Sequence, residues 1–406
     1  MAAQQGETQQ KTIVVIGGGI VGTSTAYYLS HHPLYDSKGH SATVLEANNI
    51  AEGSSGKGGG FIADWATPKC VAPLSFRLHN DLAKEHDGDK IWGHRNVFAA
   101  EIKLLGQILK ATDSPELNGN GDAPSSLDWL LPGSIQQYDE IGVPGNSGQV
   151  NPYMFTKTLA KLAESKGVTF KLKASATKIN IDEDRKVVKS VEFKDDEGTH
   201  TIDATDILVA AGPWTPNLLP SVSLLTPRGH SVIVKPTRPL SPYILFPNIQ
   251  PAPASPFDEL LSPDIYPRPA DHLYEFDTVY ASGPDDYRTS LPSDTGDIEL
   301  VDQKCADILK AIGSVSQEIH DGALVKKQAC YKPQIRQHEE DEEVGPMAGP
   351  VGIHGLWLAT GHDEWGIQNG PGTGLVMSEM ILEGKAHSAD CSSLDPKHFL
   401  NTSTKL

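Results

Sequence analysis

Residues 12–29 read TIVVIGGGIVGTSTAYYL: an apolar run enters a glycine cluster, and a segment compatible with a helix follows. Strand, tight turn and helix in this order are typical of a dinucleotide-binding unit. Gly17 permits the sharp turn, Gly19 lets the backbone approach a pyrophosphate, and Gly22 lets the helix pack closely on the strand. The segment therefore predicts a Rossmann-like nucleotide site, with an ordinary glycine-rich turn between strand and helix as the alternative.

A second apolar strand, residues 42–45, ends at Glu46, an acid placed to hold the hydroxyls of a ribose. The polar loop at 31–41 makes the spacing from Gly22 longer than the roughly 20 residues usual for this motif. Residues 47–49 supply no arginine or lysine for a ribose 2′-phosphate. The pattern therefore favours FAD or NAD over NADP.

A second glycine-rich segment, GSSGKGGGF at residues 53–61, follows soon after the second strand. A loop without side-chain bulk brings backbone N–H donors close to a pyrophosphate and to the edge of an isoalloxazine ring. A nicotinamide enzyme has no evident use for such a loop, so the pattern favours a flavin. A linker without fixed structure is the alternative.

Two later segments also join a buried strand to small residues. DILVAAGPW at 206–214 predicts a strand whose Ala-Gly end lets the chain pass beneath a dinucleotide. GHDEWGIQNGPGTG at 361–374 predicts a glycine-studded loop and a helix whose positive end faces the flavin N1/O2 edge. Trp214 is a candidate flavin neighbour, with plain packing as the alternative.

The order of the remaining elements predicts an interleaved α/β fold (α+β overall). Strands of period two return between residues 228 and about 325, in the manner of an antiparallel sheet inserted into a dinucleotide domain. We predict a Rossmann-like FAD-binding domain from residues 1–85, 149–225 and 328–406. The substrate-binding domain, built on the antiparallel sheet, is predicted from residues 86–148 and 226–327.

Composition limits the partners of the chain. Its 406 residues include 34 basic and 52 acidic ones, for a net charge of −18, which disfavours nucleic acid and anionic membrane surfaces. The acidic run at 339–343 reads as a solvated loop. Four scattered cysteines form no metal-type spacing and no disulfide framework, so we expect no metal and a reducing compartment.

Sequence signals for location are few. No apolar run approaches the length of a membrane span, so no stable membrane insertion is expected. The polar first dozen residues resemble neither a secretory signal nor a transit peptide, and we expect a cytoplasmic location. The last three residues, Thr404-Lys405-Leu406, differ in one residue type from the peroxisomal Ser-Lys-Leu address, a weak signal for that organelle.

With these motifs in place, the chain resembles the D-amino-acid oxidase/glycine oxidase/sarcosine oxidase family of FAD enzymes. The resemblance rests on GGGIVGTSTAYYLS, GSSGKGGGF, DILVAAGPW and GHDEWGIQNGPGTG, which follow the family's order through nearly the whole chain. RGH at 228–230, ACYKP at 329–333 and the second glycine loop are most similar to a fungal group, the Tda3-type oxidoreductases.

The resemblance implies an FAD molecule held by small residues of the four motifs and by side chains beside them. The predicted contacts are Gly17, Gly19, Ile20, Val21, Gly22, Glu46, Ala47, Ser54, Ser55, Gly59, Gly60, Phe61, Ala176, Ala211, Gly212, Trp214, Cys330, Gly361, His362, Trp365, Gly366, Gly372 and Thr373. Cys330 falls where sarcosine oxidases bond covalently to the flavin, so covalent attachment and a buried unreactive thiol are both open.

The substrate site departs from the family pattern. Glycine oxidases clamp the substrate carboxylate with an Arg-Pro pair, and the matching place here is Lys332-Pro333. A lysine keeps the charge but loses the bidentate fork, so Arg268 or Arg336 is a candidate for the clamp, and Lys332 as a solvated loop residue is the alternative. Lys332 and His362 are the candidate catalytic residues, His362 for handling a proton or orienting substrate, with a structural hydrogen bond as the alternative.

The resemblance implies oxidation of the C–N bond of a small amine or amino-acid-like substrate. A hydride would pass to the flavin, and molecular oxygen would reoxidise it to yield peroxide. Two alternatives stay open at this point. One is a dehydrogenase or tailoring oxidase with another electron acceptor, and the other is a flavin-stabilised protein of endosomal trafficking whose surface carries the function.

Overall fold

The computed structural model describes residues 10–109, 123–251, 261–336 and 345–400. The acidic run at 339–343 and the C-terminal tripeptide at 404–406 lie outside the described residues. Within the described ranges, no helix combines the length and the apolar character that crossing a bilayer requires.

The described elements alternate strands and helices at both ends of the chain, with a run of strands between. The strands are β1 Thr12–Ile16, β2 Ser41–Glu46, β3 Phe61–Ala63, β4 Arg95–Asn96, β5 Phe98–Leu105, β6 Ile135–Gly142, β7 Ser147–Gln149, β8 Thr169–Leu172, β9 Ser175–Asp182, β10 Val187–Asp195, β11 Gly198–Asp203, β12 Asp206–Val209, β13 Leu224–Leu225, β14 Arg228–Lys235, β15 Tyr243–Gln250, β16 Asp264–Arg268, β17 Thr278–Ser282, β18 Ala323–Tyr331, β19 Gln334–Ile335, β20 Met347–Pro350 and β21 Leu356–Thr360. The helices are α1 Ile20–His31, α2 Ala72–Glu85, α3 Gly88–Ile91, α4 Pro152–Ser165, α5 Asp302–Gly313, α6 Gln317–His320 and α7 Gly366–Glu383.

A six-stranded sheet forms the nucleotide-binding half, in the order β20-β21-β12-β1-β2-β8. Every neighbouring pair is parallel except β20 with β21. Val14 of β1 is in register with Thr43 of β2 and Ile207 of β12, which places the glycine turn between the carboxyl ends of two parallel strands. The predicted Rossmann-like unit is confirmed, and ligands of such sheets bind at this edge.

Both faces of this sheet are covered, which explains why β1 reads as a continuous apolar run. Ile13 and Val15 point into a core with α1, α2, α4 and α7, where Leu29, Phe155 and Val376 are buried. On the other face, alternate residues of the same strands pack under the three-stranded sheet β11-β10-β9. The central strand therefore sits between two hydrophobic layers.

Helices α1 and α7 pack closely because glycine faces the contact. A Cβ at Gly374 would lie 2.5 Å from Ser24 Cβ and 2.6 Å from its carbonyl carbon, and one at Gly370 would lie 2.4 Å from Ile20 Cγ1. Real Cβ atoms do not approach other atoms so closely. The contact places Gly370, in the second turn of α7, against Ile20 at the start of α1.

The second half is a seven-stranded sheet in the order β18-β14-β17-β16-β15-β5-β6. Its neighbours are antiparallel apart from β15 with β5. Helix α5 lies over one face, with Ile308 and Ile312 in a core that includes Trp129. Strand β18 reaches Tyr331 and so crosses the predicted boundary between residues 327 and 328; the division into domains stays a prediction.

We predict that Gly374→Ala destabilises the protein although alanine favours helices. The new methyl group overlaps the backbone of α1, an overpacking that costs about 2 kcal/mol, more than the gain of about 1 kcal/mol in helix propensity. The control is Gly313→Ala in α5, where a Cβ would lie 3.5 Å from its nearest described neighbour, His320 Cα, which is an ordinary contact distance. Thermal denaturation should show a lower melting temperature for G374A alone; equal values for both variants would contradict the packing argument.

Candidate active site

A first cavity of about 190 Å³ runs along the carboxyl edge of β1 and β2. Predicted cofactor residues from all four motifs line it, together with the strand start at Ala176. These residues are Gly17, Gly19, Ile20, Val21, Glu46, Ala47, Ser54, Ser55, Ala176, Ala211, Gly212, Trp214, His362 and Gly366. Segments distant in the sequence thus meet around one elongated space.

The turn after β1 has no room for side chains. Gly17 has φ +115°, and a Cβ there would lie 2.3 Å from the carbonyl oxygen of Ala210 at the end of β12. A Cβ at Gly22 would lie 2.0 Å from the carbonyl oxygen of Gly17. The N–H of Ile20, the first residue of α1, donates to Ser55 Oγ at 2.9 Å, so the second glycine loop is tied to the helix start.

Glu46 holds the turn from the other side. Its carboxylate oxygens accept hydrogen bonds from the N–H groups of Gly18 and Asn48, each at 2.8 Å. Burial raises the pKa of Glu46, and the two backbone donors oppose that rise. The acid lines the first cavity and shapes the glycine turn; its contact with a ribose stays a prediction.

A second cavity of about 520 Å³ adjoins the first. Ile20, Ser54, Ser55, Asp363 and Gly366 line both. The predicted residues that line only the second are Gly59, Gly60, Phe61, Cys330, Lys332 and Trp365. Strands of the seven-stranded sheet form its far wall, so the site lies where the two large sheets face each other.

The N-terminus of α7 lies at the junction of the cavities, because its first residue, Gly366, lines both. Among the described residues, the side chain of the N-cap residue, Trp365, accepts no hydrogen bond from the first N–H groups of α7. The first N–H groups of an α-helix have no partner within the helix and carry its positive end. This 18-residue helix therefore presents a positive end to whatever binds at the junction.

Six predicted residues lie outside the lining of both cavities: Gly22, Arg268, Arg336, Gly361, Gly372 and Thr373. The N–H of Gly372 donates to Ser75 Oγ of α2 at 2.8 Å, inside the helix packing. Arg268 is buried behind the second glycine loop, donates to the carbonyls of Gly58 and Gly59, and lies 4.6 Å from the centre of the Tyr280 ring. Arg336 is exposed.

His362 is buried, with 5% of its surface exposed, and its Nε2 lies 3.0 Å from Thr373 Oγ1. Burial lowers the pKa of His362 to about 4, so the imidazole is neutral near pH 7. The geometry gives this histidine a structural hydrogen bond at the edge of the first cavity. Its part in proton transfer stays a hypothesis.

Lys332 reaches the second cavity already paired with two carboxylates. Its Nζ lies 2.7 Å from Asp285 Oδ2 and 2.9 Å from Glu364 Oε1. Burial lowers the pKa of Lys332, but the attraction of Glu364 and Asp285 outweighs it and holds the pKa above its usual value. The lysine is therefore charged, and its charge is neutralised by the protein itself.

Sequence reasoning missed several lining residues of the second cavity. Asp264, Asp285 and Glu364 come from separate strands and loops, and only Glu364 lies within a motif already singled out. Burial, with a smaller contribution from Glu364, raises the pKa of Asp264 to about 7. The thiol of Cys330 also faces this cavity, and burial raises its pKa, which disfavours the thiolate that covalent attachment needs.

Two glycine turns, two helix starts and an adjoining second cavity define the class of a dinucleotide-dependent oxidoreductase with a separate substrate compartment. The model of the family "DAO: FAD dependent oxidoreductase" matches residues 12–380. The chain belongs to this DAO family, and it is an FAD-dependent oxidoreductase. The predicted family and cofactor are thereby confirmed.

Comparisons with individual proteins agree with this family assignment. The chain is 31% identical to "Putative oxidoreductase C1F5.03c" of Schizosaccharomyces pombe, covering 97% of this chain and 100% of that one. It is 27% identical to "Putative oxidoreductase TDA3" of Saccharomyces cerevisiae, covering 97% and 95%. The fold is similar to that of glycine oxidase from Bacillus cereus, with a TM-score of 0.69, 19% identity and coverage of 98% and 99%.

The residues of the first cavity fit FAD. Gly17 and Gly19 leave the start of α1 open to a pyrophosphate, and Ser54 and Ser55 add hydroxyl groups beside it. The start of α7 would face the flavin ring at the junction of the cavities. When bound, FAD supplies a two-electron acceptor at this junction.

We predict that Gly17→Ala abolishes FAD binding. Alanine at φ +115° is strained by about 1–2 kcal/mol, and its methyl group also meets the Ala210 carbonyl. Gly145→Ala is a matched control, because Gly145 has φ +111° and no other described residue comes within 4 Å of its Cβ position. Visible absorbance should show flavin in purified G145A and not in G17A; equal flavin content in the two variants would argue against the turn as the cofactor cradle.

A second prediction concerns Asp264. Its pKa of about 7 in the folded protein lies above the 3.8 of a free carboxyl, so ionisation costs stability as pH rises from about 4 to 7. Asp264→Asn removes this cost, by at most about 4 kcal/mol. The melting temperature of D264N should match the unchanged protein near pH 4 and exceed it above pH 7. Asp184→Asn, on an exposed turn, controls for the loss of one charge, and parallel pH curves for D264N and the unchanged protein would refute the prediction.

Proposed function

We propose that the protein oxidises the C–N bond of a small amine or amino-acid-like molecule, with molecular oxygen as the acceptor that reoxidises the flavin. The observation that supports this most is the second cavity, which adjoins the cofactor site at the start of α7 and holds about 520 Å³. A small molecule bound there has its reacting carbon next to the flavin position. Charged side chains, Lys332 among them, line the wall opposite.

In this reaction the main task of the protein is to place the substrate beside the cofactor. The α-carbon of a neutral amine gives up a hydride, the nitrogen lone pair forms the C=N bond, and water later hydrolyses the imine. The chain contributes enclosure, orientation and the positive end of α7, which stabilises negative charge at the junction. No residue has to remove a proton from carbon.

A substrate panel tests the proposal. Purified holoenzyme is supplied with D-amino acids, N-methyl amino acids, glycated amino acids and simple amines under air, and hydrogen peroxide is measured. We expect peroxide with at least one class and none from flavin-free G17A. Bound flavin that is neither reduced nor turned over by any class would refute amine oxidation.

The electron acceptor is tested separately. Substrate is mixed with holoenzyme without oxygen, the loss of flavin colour is recorded, and air is then admitted. Rapid return of colour with one peroxide per turnover supports oxygen. Slow return in air with fast return upon adding a dye acceptor would instead favour a dehydrogenase. The cytoplasmic location, the peroxisomal address and a trafficking role remain predictions.

A further inference from the structure

The wall of the second cavity has more negative than positive side chains. Five carboxylates and two lysines line it: Glu101, Asp264, Asp285, Asp363 and Glu364 against Lys57 and Lys332. Lys57 Nζ donates to the carbonyl of Ala329 at 3.1 Å. Asp363 provides a further hydrogen-bond acceptor, because its Oδ1 is buried without a hydrogen-bond partner among the described residues.

Lys332 is in no position to serve as a carboxylate clamp in this arrangement. Asp285 and Glu364 already occupy two of the three donors of its ammonium group, at 2.7 and 2.9 Å. A substrate carboxylate could take only the one remaining donor, and it would enter beside a group whose net charge is −1. Asp285 is largely shielded from solvent, with 16% of its side chain exposed, so it has little room to swing away.

Aromatic rings form another part of the same wall. Phe61 lies with its ring centre 5.7 Å from those of Trp65 and Phe246 and 6.2 Å from that of Trp365. The rings of Trp65 and Trp365 are 6.2 Å apart, edge to face. All four side chains line the cavity. Aromatic faces beside carboxylates are the combination that binds alkylammonium groups.

We propose that the substrate is an alkylamine without a carboxylate group, bound as a cation between this aromatic wall and the carboxylates. The inference rests on the proposed amine oxidation and narrows its substrate class. The hydrocarbon chain contacts Phe61, Trp65 and Trp365, while an ammonium group faces Asp264 and Glu364. The overall charge of −18 also attracts cations.

The reaction balances for such a substrate. The ammonium group first loses one proton, for which the Asp264 carboxylate is a local acceptor. FAD, when bound at the junction, would supply the two-electron acceptor: the C–H bond would break, its electron pair would leave as hydride, and the nitrogen lone pair would form C=N. The amine is oxidised by two electrons, and hydrolysis gives an aldehyde and an ammonium ion.

The experiment compares amines with the amino acids from which they differ by one carboxylate. Pentylamine is paired with D- and L-norleucine, and cadaverine with D- and L-lysine. Each is titrated into holoenzyme without oxygen, and the change in flavin absorbance reports binding while bleaching reports reduction. We expect each amine to bind at least about ten-fold more tightly than either amino acid of its pair, with weaker binding at high salt.

Single substitutions test which side chains bind the amine. Glu364→Gln and Asp264→Asn should each weaken amine binding by about three- to ten-fold. Glu197→Gln, on the exposed turn between β10 and β11, removes one charge elsewhere and should leave it unchanged. Lys332→Gln should tighten amine binding, because Asp285 and Glu364 lose the cation that neutralises them, whereas a carboxylate clamp would lose amino-acid binding with this change.

The outcomes separate the inference from the proposed function. Amino acids that bind more tightly than their amines, with that binding lost in K332Q, would overturn the inference, and flavin reduction by those amino acids would leave the proposed function standing. Tight amine binding that depends on Glu364 supports the inference even without bleaching, and that lack of bleaching would count against amine oxidation alone.

Discussion

The site depends on how closely three backbone segments approach one another. The turn after β1 touches the end of β12 at Gly17, and α1 begins against the same turn at Gly22. Helix α7 then approaches α1 through Gly374. Because none of these contacts tolerates even a methyl group, the beginning, middle and end of the chain are held at fixed distances. The cavity for the cofactor is the space that remains at their shared edge.

This packing also sets the electrostatics of the site. Helices α1 and α7 both start at the cavity edge, so two positive helix ends face the same space in a protein of net charge −18. Glu46 lies beside the first of them and accepts the Gly18 N–H, which fixes the turn. Acidic side chains line both cavities: Glu46, Glu52, Asp294 and Asp363 the first, and Glu101, Asp264, Asp285, Asp363 and Glu364 the second. Among the described lining residues, the two compartments differ instead in their cations, because Lys57 and Lys332 line only the second.

The sequence predicts the first compartment better than the second, for a physical reason. The glycine turn, Glu46 and the start of α7 are local patterns, in which a few neighbouring residues determine strand, turn and helix. The partners of Lys332 cannot be read from a local pattern. Asp285 contacts it only because the loop after β17 lies against the end of β18 in the folded chain. The sequence predicts Arg268 as a cation available to a substrate, but in the structure it donates hydrogen bonds to the carbonyls of the glycine loop. Contacts between residues so far apart in the chain produce no periodic pattern in the sequence, so the sequence does not predict them.

Lys332, which the family resemblance matches to an arginine clamp, differs from an arginine in more than the geometry of its side chain. An arginine there would present a planar fork that matches a carboxylate, whereas the ammonium of Lys332 is enclosed by Asp285 and Glu364. Removing charges from water is costly unless they are paired, so the lysine and Asp285 stabilise each other and resist separation. Glu364 is more exposed, at 70% of its side chain, and remains accessible from the cavity. Lys332 therefore anchors two acids, an arrangement that underlies our proposal that the cavity accepts cations.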